Sequence, residues 1–200
     1  MSLREGHLFA GIDHSVRKRR DGLAVLVSGL IKVSSSTAGG REAILSYIRP
    51  GQWFGELAVI DGGARERDFI SVSACEIFVI EPDAIAILLQ DVDLAKNITQ
   101  LLATRTRALL SLVEDFALRS TRSRTARRLL MLAYDDQPQI GRHRQHIEVS
   151  QDALASMLGM TRQSVASQLR HLCERGAIEQ AYGRVSIRSM VALMAEAATA

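Results

Sequence analysis

The run VSQDALASMLGMTRQSVASQLRHLCERGAI, residues 149–178, restricts what this chain can fold into more than any other stretch. Ser150 is placed to cap a short helix whose inner face is Ala153, Leu154, Met157 and Leu158. Gly159 follows, where a left-handed residue lets the chain turn sharply. Thr161 is placed to cap a second helix that buries Val165, Leu169, Leu172 and Cys173 at i, i+4, i+7 and i+8. Arg162, Gln163, Ser164, Ser167, Arg170 and Glu174 then lie in the first turn or on the opposite, polar side. Two helices joined by a short glycine-containing turn describe a helix-turn-helix. A polar face that begins at the N-terminus of the second helix suits the DNA major groove, where Arg reads guanine and Gln reads adenine through paired hydrogen bonds. An amphipathic helical hairpin docking on protein is the structural alternative.

The continuation favours DNA. Gly176-Ala177-Ile178 ends the second helix, and AYGRVSI gives a glycine turn between two β segments, a wing with Arg184 placed to meet a phosphate. Charge is uneven in the same direction. Residues 119–200 hold twelve arginines and no lysine against seven acidic residues, while residues 1–118 hold thirteen basic and fifteen acidic groups. A basic C-terminal segment on a slightly acidic remainder marks the end that meets a polyanion. Base-edge candidates are therefore Arg162, Gln163, Ser167 and Arg170, with Ser164 beside them; Ser150, Thr161 and Arg184 are phosphate-positioning candidates.

Upstream the grammar differs. From Leu23 to Ile80 short β-rich runs alternate with turn signals: LAVLVSGLIKVSSS, then TAGGRE into AILSYI, then Pro50-Gly51, then GGAR at 62–65, then FISVSACEIFVIE. This spacing predicts a sandwich or barrel-like roll. After Pro82 no proline or glycine occurs until Pro138. Ala95, Ile98, Leu102, Arg105, Leu109, Leu112 and Phe116 recur three and four apart, a heptad seam interrupted by Arg105. A helix this long needs something to cover its stripe. A two-chain coiled coil does so along the whole seam, and packing on the helix's own domain is the alternative. Ser120–Ser123 breaks the apolar pattern and is the expected hinge, with a further helix over TARRLLMLAY.

Taken together, these segments resemble the cyclic AMP receptor protein / fumarate-nitrate reductase regulator (Crp/Fnr) family of bacterial transcription factors. The likeness is carried by LVSGLIKVSSSTAGGREAILSYIRPGQWFGELAVIDGG, by TARRLLMLA, and by VSQDALASMLGMTRQSVASQLRHLCERGAIEQAYGRVSI. It implies an α+β chain: a cyclic-nucleotide-binding-like β-roll (a double-stranded β-helix) over 1–90, a dimerisation helix over 91–119, and a winged helix-turn-helix over 120–200. It also implies a homodimer on an inverted-repeat operator, with a small-molecule effector and RNA polymerase as further candidate partners. The roll looks short before Leu23 for such a family.

In members of the family that bind cyclic AMP, the glycine and glutamate of FGEL hold the ribose, and the arginine of an Arg-Ser-Ala or Arg-Thr-Ala motif pairs the phosphate beside a hydroxyl. Gly55, Glu56 and Leu57 match the first part, and Arg65 matches the arginine. Glu66 stands where the hydroxyl belongs, and Arg67-Asp68 follow it. A carboxylate there repels phosphate and takes up the arginine's donors. Two like charges ~4 Å apart cost about 1 kcal/mol in water and several in a partly buried site, against about 8 kcal/mol for a micromolar ligand. A Thr-Ser pair contacts the purine in the cyclic AMP binders; Leu109 and Leu110 stand at those places here. The expectation is a different effector or constitutive competence. One alternative is a sensor that still binds a cyclic nucleotide at the altered pocket. The other keeps GELAVIDGG only as a turn with Arg65 paired to Glu66 or Asp68.

Other chemistries find little support. Cys75 and Cys173 are too few and too far apart to hold a cluster, and they suit a reducing cytosol. His143 and His146 form HRQH in an arginine-rich loop without acidic or cysteine ligands nearby. No nucleophile triad, P-loop or HExxH pattern appears. No apolar run approaches the ~18 residues of a membrane span, and the charged opening predicts no signal peptide. The expectation is a cytoplasmic regulator without metal or cofactor, not an enzyme.

Overall fold

The computed structural model describes residues 6–11, 22–63, 67–134 and 143–199. The chain divides into two compact units, Met1–Leu102 and Ala103–Ala200.

In the first unit, β-branched and aromatic residues alternate with polar ones and build two antiparallel sheets. One sheet runs β1 (Gly6–Gly11), β7 (Cys75–Ile80), β2 (Leu23–Ser28) and β5 (Trp53–Phe54). The other places β3 (Ile31–Ser36) between β4 (Glu42–Ile48) and β6 (Asp68–Ser71). The register pairs Val25 with Phe78 and Val33 with Phe69. Leu26, Ile31, Val33, Ile48, Phe54 and Ile77 therefore close on a shared interior. The TAGGRE turn forms as expected, with Thr37 N donating to Arg41 O at 2.9 Å. At Pro50-Gly51 the chain also turns, Gly51 N donating to Leu26 O at 2.8 Å.

The segment after Phe54 is not the bare turn that its glycines suggest. Gly55 is left-handed (φ 87°), and Glu56–Asp61 then winds into a short helix, α1, closed by left-handed Gly62. The helical part of the chain also starts differently from the uninterrupted seam. Helix α2 (Pro82–Leu88) stops, and α3 (Val92–Leu118) begins afresh. Asp91 makes the break, its carboxylate accepting from Asp93 N at 2.9 Å and Leu94 N at 3.0 Å.

The second unit holds the C-terminal half of α3 and the helices α4 (Thr121–Ala133), α5 (Gln151–Leu158), α6 (Arg162–Glu174) and α7 (Met190–Ala198). A small antiparallel sheet orders β8 (His146–Glu148), β10 (Arg184–Ile187) and β9 (Ile178–Ala181). Helix α4 starts earlier than TARRLLMLAY because Ser120 Oγ accepts from Ser123 N at 3.3 Å. The expected hinge at Ser120–Ser123 is thus a capped helix start inside the second unit, and the two units part within α3.

Candidate nucleic-acid interface

Local capping builds the reader. Ser150 Oγ accepts from Ala153 N at 3.0 Å to start α5, and Thr161 Oγ1 accepts from Ser164 N at 3.1 Å to start α6. Between them Gly159 takes φ 61°, ψ 33°, the left-handed conformation that an L side chain enters only under strain. Leu154, Val165, Leu169 and Leu172 are fully buried and hold the two helices together. Ala155 and Leu158 join them, whereas Ala153, Met157 and Cys173, expected inside, are only half-buried. Cys173 lies where the helix rolls toward its edge, and burial still raises its thiol pKa.

The opposite side of α6 faces solvent. Thr161, Arg162, Gln163, Ser167, Arg170 and Glu174 are exposed, and Ser164 is half-buried beneath its cap bond. Ser150 is exposed at the start of α5. Arg184 is exposed at the first position of β10, where it pairs in register with Ala181 and Glu148. The hairpin tip beside it is Tyr182, fully exposed, and Gly183 at φ 67°. A polar helix face and a wing with an arginine beside an aromatic tip thus lie in one unit. That arrangement suits a groove with phosphates on its flank.

Some neighbours of this face are invisible in the sequence pattern. Asp152 stands 3.7 Å from Arg162, an exposed ion pair across the helix-turn-helix that no local spacing announces. Arg124 lies over the Phe116 ring at 4.0 Å and donates to Leu158 O at 2.5 Å, just before the turn glycine. Burial lowers the Arg124 pKa there, with Asp115 partly restoring it. At the other end of α6, buried Glu196 of α7 accepts from Arg175 at 3.0 Å and lies 3.4 Å from His171.

The seam residues divide. Ile98 is buried with Leu23 and Ile85, and Leu94 and Leu102 pack against them, so this end of α3 is covered by its own roll. Ile98, expected on the seam, is thus spent on this core, and Leu102 is half-buried against it. Ala95 is half-buried. Further along, Leu112 is half-buried, while Leu109, Leu110, Val113 and Phe116 are 53–65% exposed.

Of the effector-pocket residues, Gly55 is half-buried, Glu56 is buried at the start of α1, and Leu57 is exposed. Arg65 and Glu66 lie outside the described residues. His143 sits with its ring 6.0 Å from Tyr134, and His146 Nδ1 meets Ser186 Oγ at 2.9 Å, so HRQH runs into the wing sheet. Among the described residues no helix is long and apolar enough to cross a membrane.

Known proteins repeat this arrangement. Residues 17–92 match the cyclic nucleotide-binding domain, and residues 123–196 match the Crp-like helix-turn-helix domain. The transcriptional regulator LdrP of Thermus thermophilus is 30% identical over 177 residues, 88% of this chain and 87% of that protein. The cyclic AMP receptor protein of the same species is 28% identical over 172 residues, 86% of this chain and 77% of that protein. A crystal structure of a CRP-family regulator from Thermus thermophilus superposes with a TM-score of 0.72 at 29% identity, covering 97% of each chain. FixK2 from Bradyrhizobium japonicum, at 16% identity, shares the fold with a TM-score of 0.79 over 98% of each. This chain belongs to the Crp/Fnr family of DNA-binding transcription regulators.

Proposed function

We propose that the chain acts in the cytoplasm as a homodimer that binds an inverted-repeat operator and is regulated through its roll. In this reading 120–200 reads DNA, the open end of 91–119 from Leu109 onward pairs two copies, and 1–90 receives the signal. The observation that carries it is the solvent-facing polar side of α6, with Arg162, Gln163, Ser167 and Arg170 beside an exposed wing arginine. The open apolar stripe of Leu109, Val113 and Phe116 supports pairing, because an uncovered run of that size on a helix seeks a partner. Two copies place their recognition helices about one DNA turn, ~34 Å, apart. Selection of bound sites from random DNA tests the reading. A two-fold symmetric consensus supports it; binding without sequence preference overturns it.

Cyclic AMP is not the effector in this proposal. Glu66 takes the place of the phosphate-binding hydroxyl, and the purine-contacting pair is Leu109-Leu110, both exposed on α3. An effector acts only by binding two dimer geometries unequally. The second reading, a cyclic nucleotide held at the altered pocket, draws on retained Gly55 and buried Glu56 and on a relative named a cyclic AMP receptor protein. Calorimetry with cyclic AMP separates the two. No heat at millimolar nucleotide is expected; micromolar binding abolished by Arg65→Ala establishes the second reading. RNA polymerase is the proposed protein partner at the promoter.

A further inference from the structure

The joint between α3 and α4 consists of Arg119 and Ser120, whose backbone dihedrals set the angle between the two helices. A charge cluster around one buried carboxylate surrounds it. Asp115, 5% exposed, accepts from Arg119 Nε at 2.9 Å and from Arg127 Nε at 2.7 Å. Arg127 also donates to Ser111 Oγ at 2.9 Å, one turn back along α3. Arg119 reaches on to Ala197 O of α7 at 3.3 Å, where fully buried Ser123 donates as well, at 2.7 Å. On another side Phe116 stacks under Arg124, which is bonded to the end of α5. The last two turns of α3 are therefore fastened to α4, α5 and α7.

We propose that Asp115, Arg119 and Arg127 are positioning residues that set which half-site spacing the protein accepts. The proposal rests on the homodimer reading above. If α3 carries the pairing surface, the angle between α3 and α4 fixes where each α6 lies relative to the dyad. A change in the α3–α4 angle that carries each α6 by ~1.7 Å along the duplex, half of one ~3.4 Å base-pair rise, changes the accepted spacing by one base pair. A two-residue joint allows such a rotation, whereas a buried carboxylate bonded to two guanidiniums resists it. Losing Asp115 leaves two half-buried arginines facing each other, and losing Arg127 leaves the carboxylate under-paired.

The test uses the full-length protein and its selected operator, with the half-sites as found and one base pair nearer or farther. The wild-type protein loses on the order of tenfold or more in affinity at either altered spacing, because DNA must twist or bend to compensate. In Asp115→Asn and Arg127→Lys that penalty falls to about threefold or less, while base preference within each half-site is unchanged. Arg127→Lys keeps the charge and serves if Asp115→Asn folds poorly, as read by thermal melting. Spacing penalties equal to wild type in a folded variant overturn the proposal, since a cluster needed only for stability would not move them. Wild-type affinity that is indifferent to the second half-site overturns the homodimer reading itself, and the two failures are distinct.

Discussion

Gln163 stands exposed in the first turn of α6 beside Arg162, whose charge Asp152 partly answers. Each is expected to make one bidentate base contact, so Gln163→Ala and Arg162→Ala each cost ~1–3 kcal/mol on the selected operator and relax preference at one position. Equal losses on operator and random DNA in a filter-binding or anisotropy titration would refute those assignments. Arg184 plays a different part. Arg184→Ala should weaken all sequences alike and reduce the slope of log affinity against log salt by about 1 per subunit. At this scale the sequence was legible wherever the interaction is local. The Ser150 and Thr161 caps lie three residues from the amides they accept. Asp115 was not legible, because its partners lie up to 12 residues away and a second link runs through Ala197. Among apolar residues, helical spacing does not mark Ala155 as inside and places Cys173 deeper than it lies, because it gives a direction and not the width of the covered face.

Helices α5 and α6 owe their relative placement to one residue in a left-handed conformation. Gly159→Ala should destabilise the second unit by about 1–2 kcal/mol, read as a fall in melting temperature. A side-chain carbon there would meet Phe116 only at ordinary contact distance, 3.9 Å, so the cost is backbone strain rather than a clash. Thr161→Ala removes the side-chain acceptor for Ser164 N and should cost about 0.5–2 kcal/mol by the same measurement. Strands β2, β3, β4, β6 and β7, both reader helices and the wing hairpin could be read from periodicity and turn residues, whereas β1, β5 and β8 could not. The break before α3 could not be read with the same ease, because an Asp91 cap inside an apolar pattern resembles any other polar residue. Nor could α7, whose residues MVALMAEAA carry neither a clear period nor a flanking stop signal. Helix α1 was hidden by its two glycines, which serve as its ends rather than as a loop.

Across the whole molecule, the apolar residues of α3 have two destinations. Those near Ile98 complete the core of the first unit, and Leu109, Leu110, Val113, Phe116 and Leu118 remain open. Leu109→Glu should therefore leave folding of the monomer intact and weaken self-association by at least about a hundredfold, since symmetry counts each lost side chain of ~1.5–3 kcal/mol twice. Sedimentation at graded concentrations measures it, and an unchanged dimer constant would place the pairing surface elsewhere.

Because the Ser111, Asp115 and Phe116 side chains belong to the second unit, a gene fragment cut at Ser120 would remove the counter-charge and the hydroxyl partner of Arg127 and the ring beneath Arg124. Such a piece would carry the whole groove-facing helix yet melt early. Starting the fragment at Ala103 would retain them, because the compact second unit begins well before its helix-turn-helix.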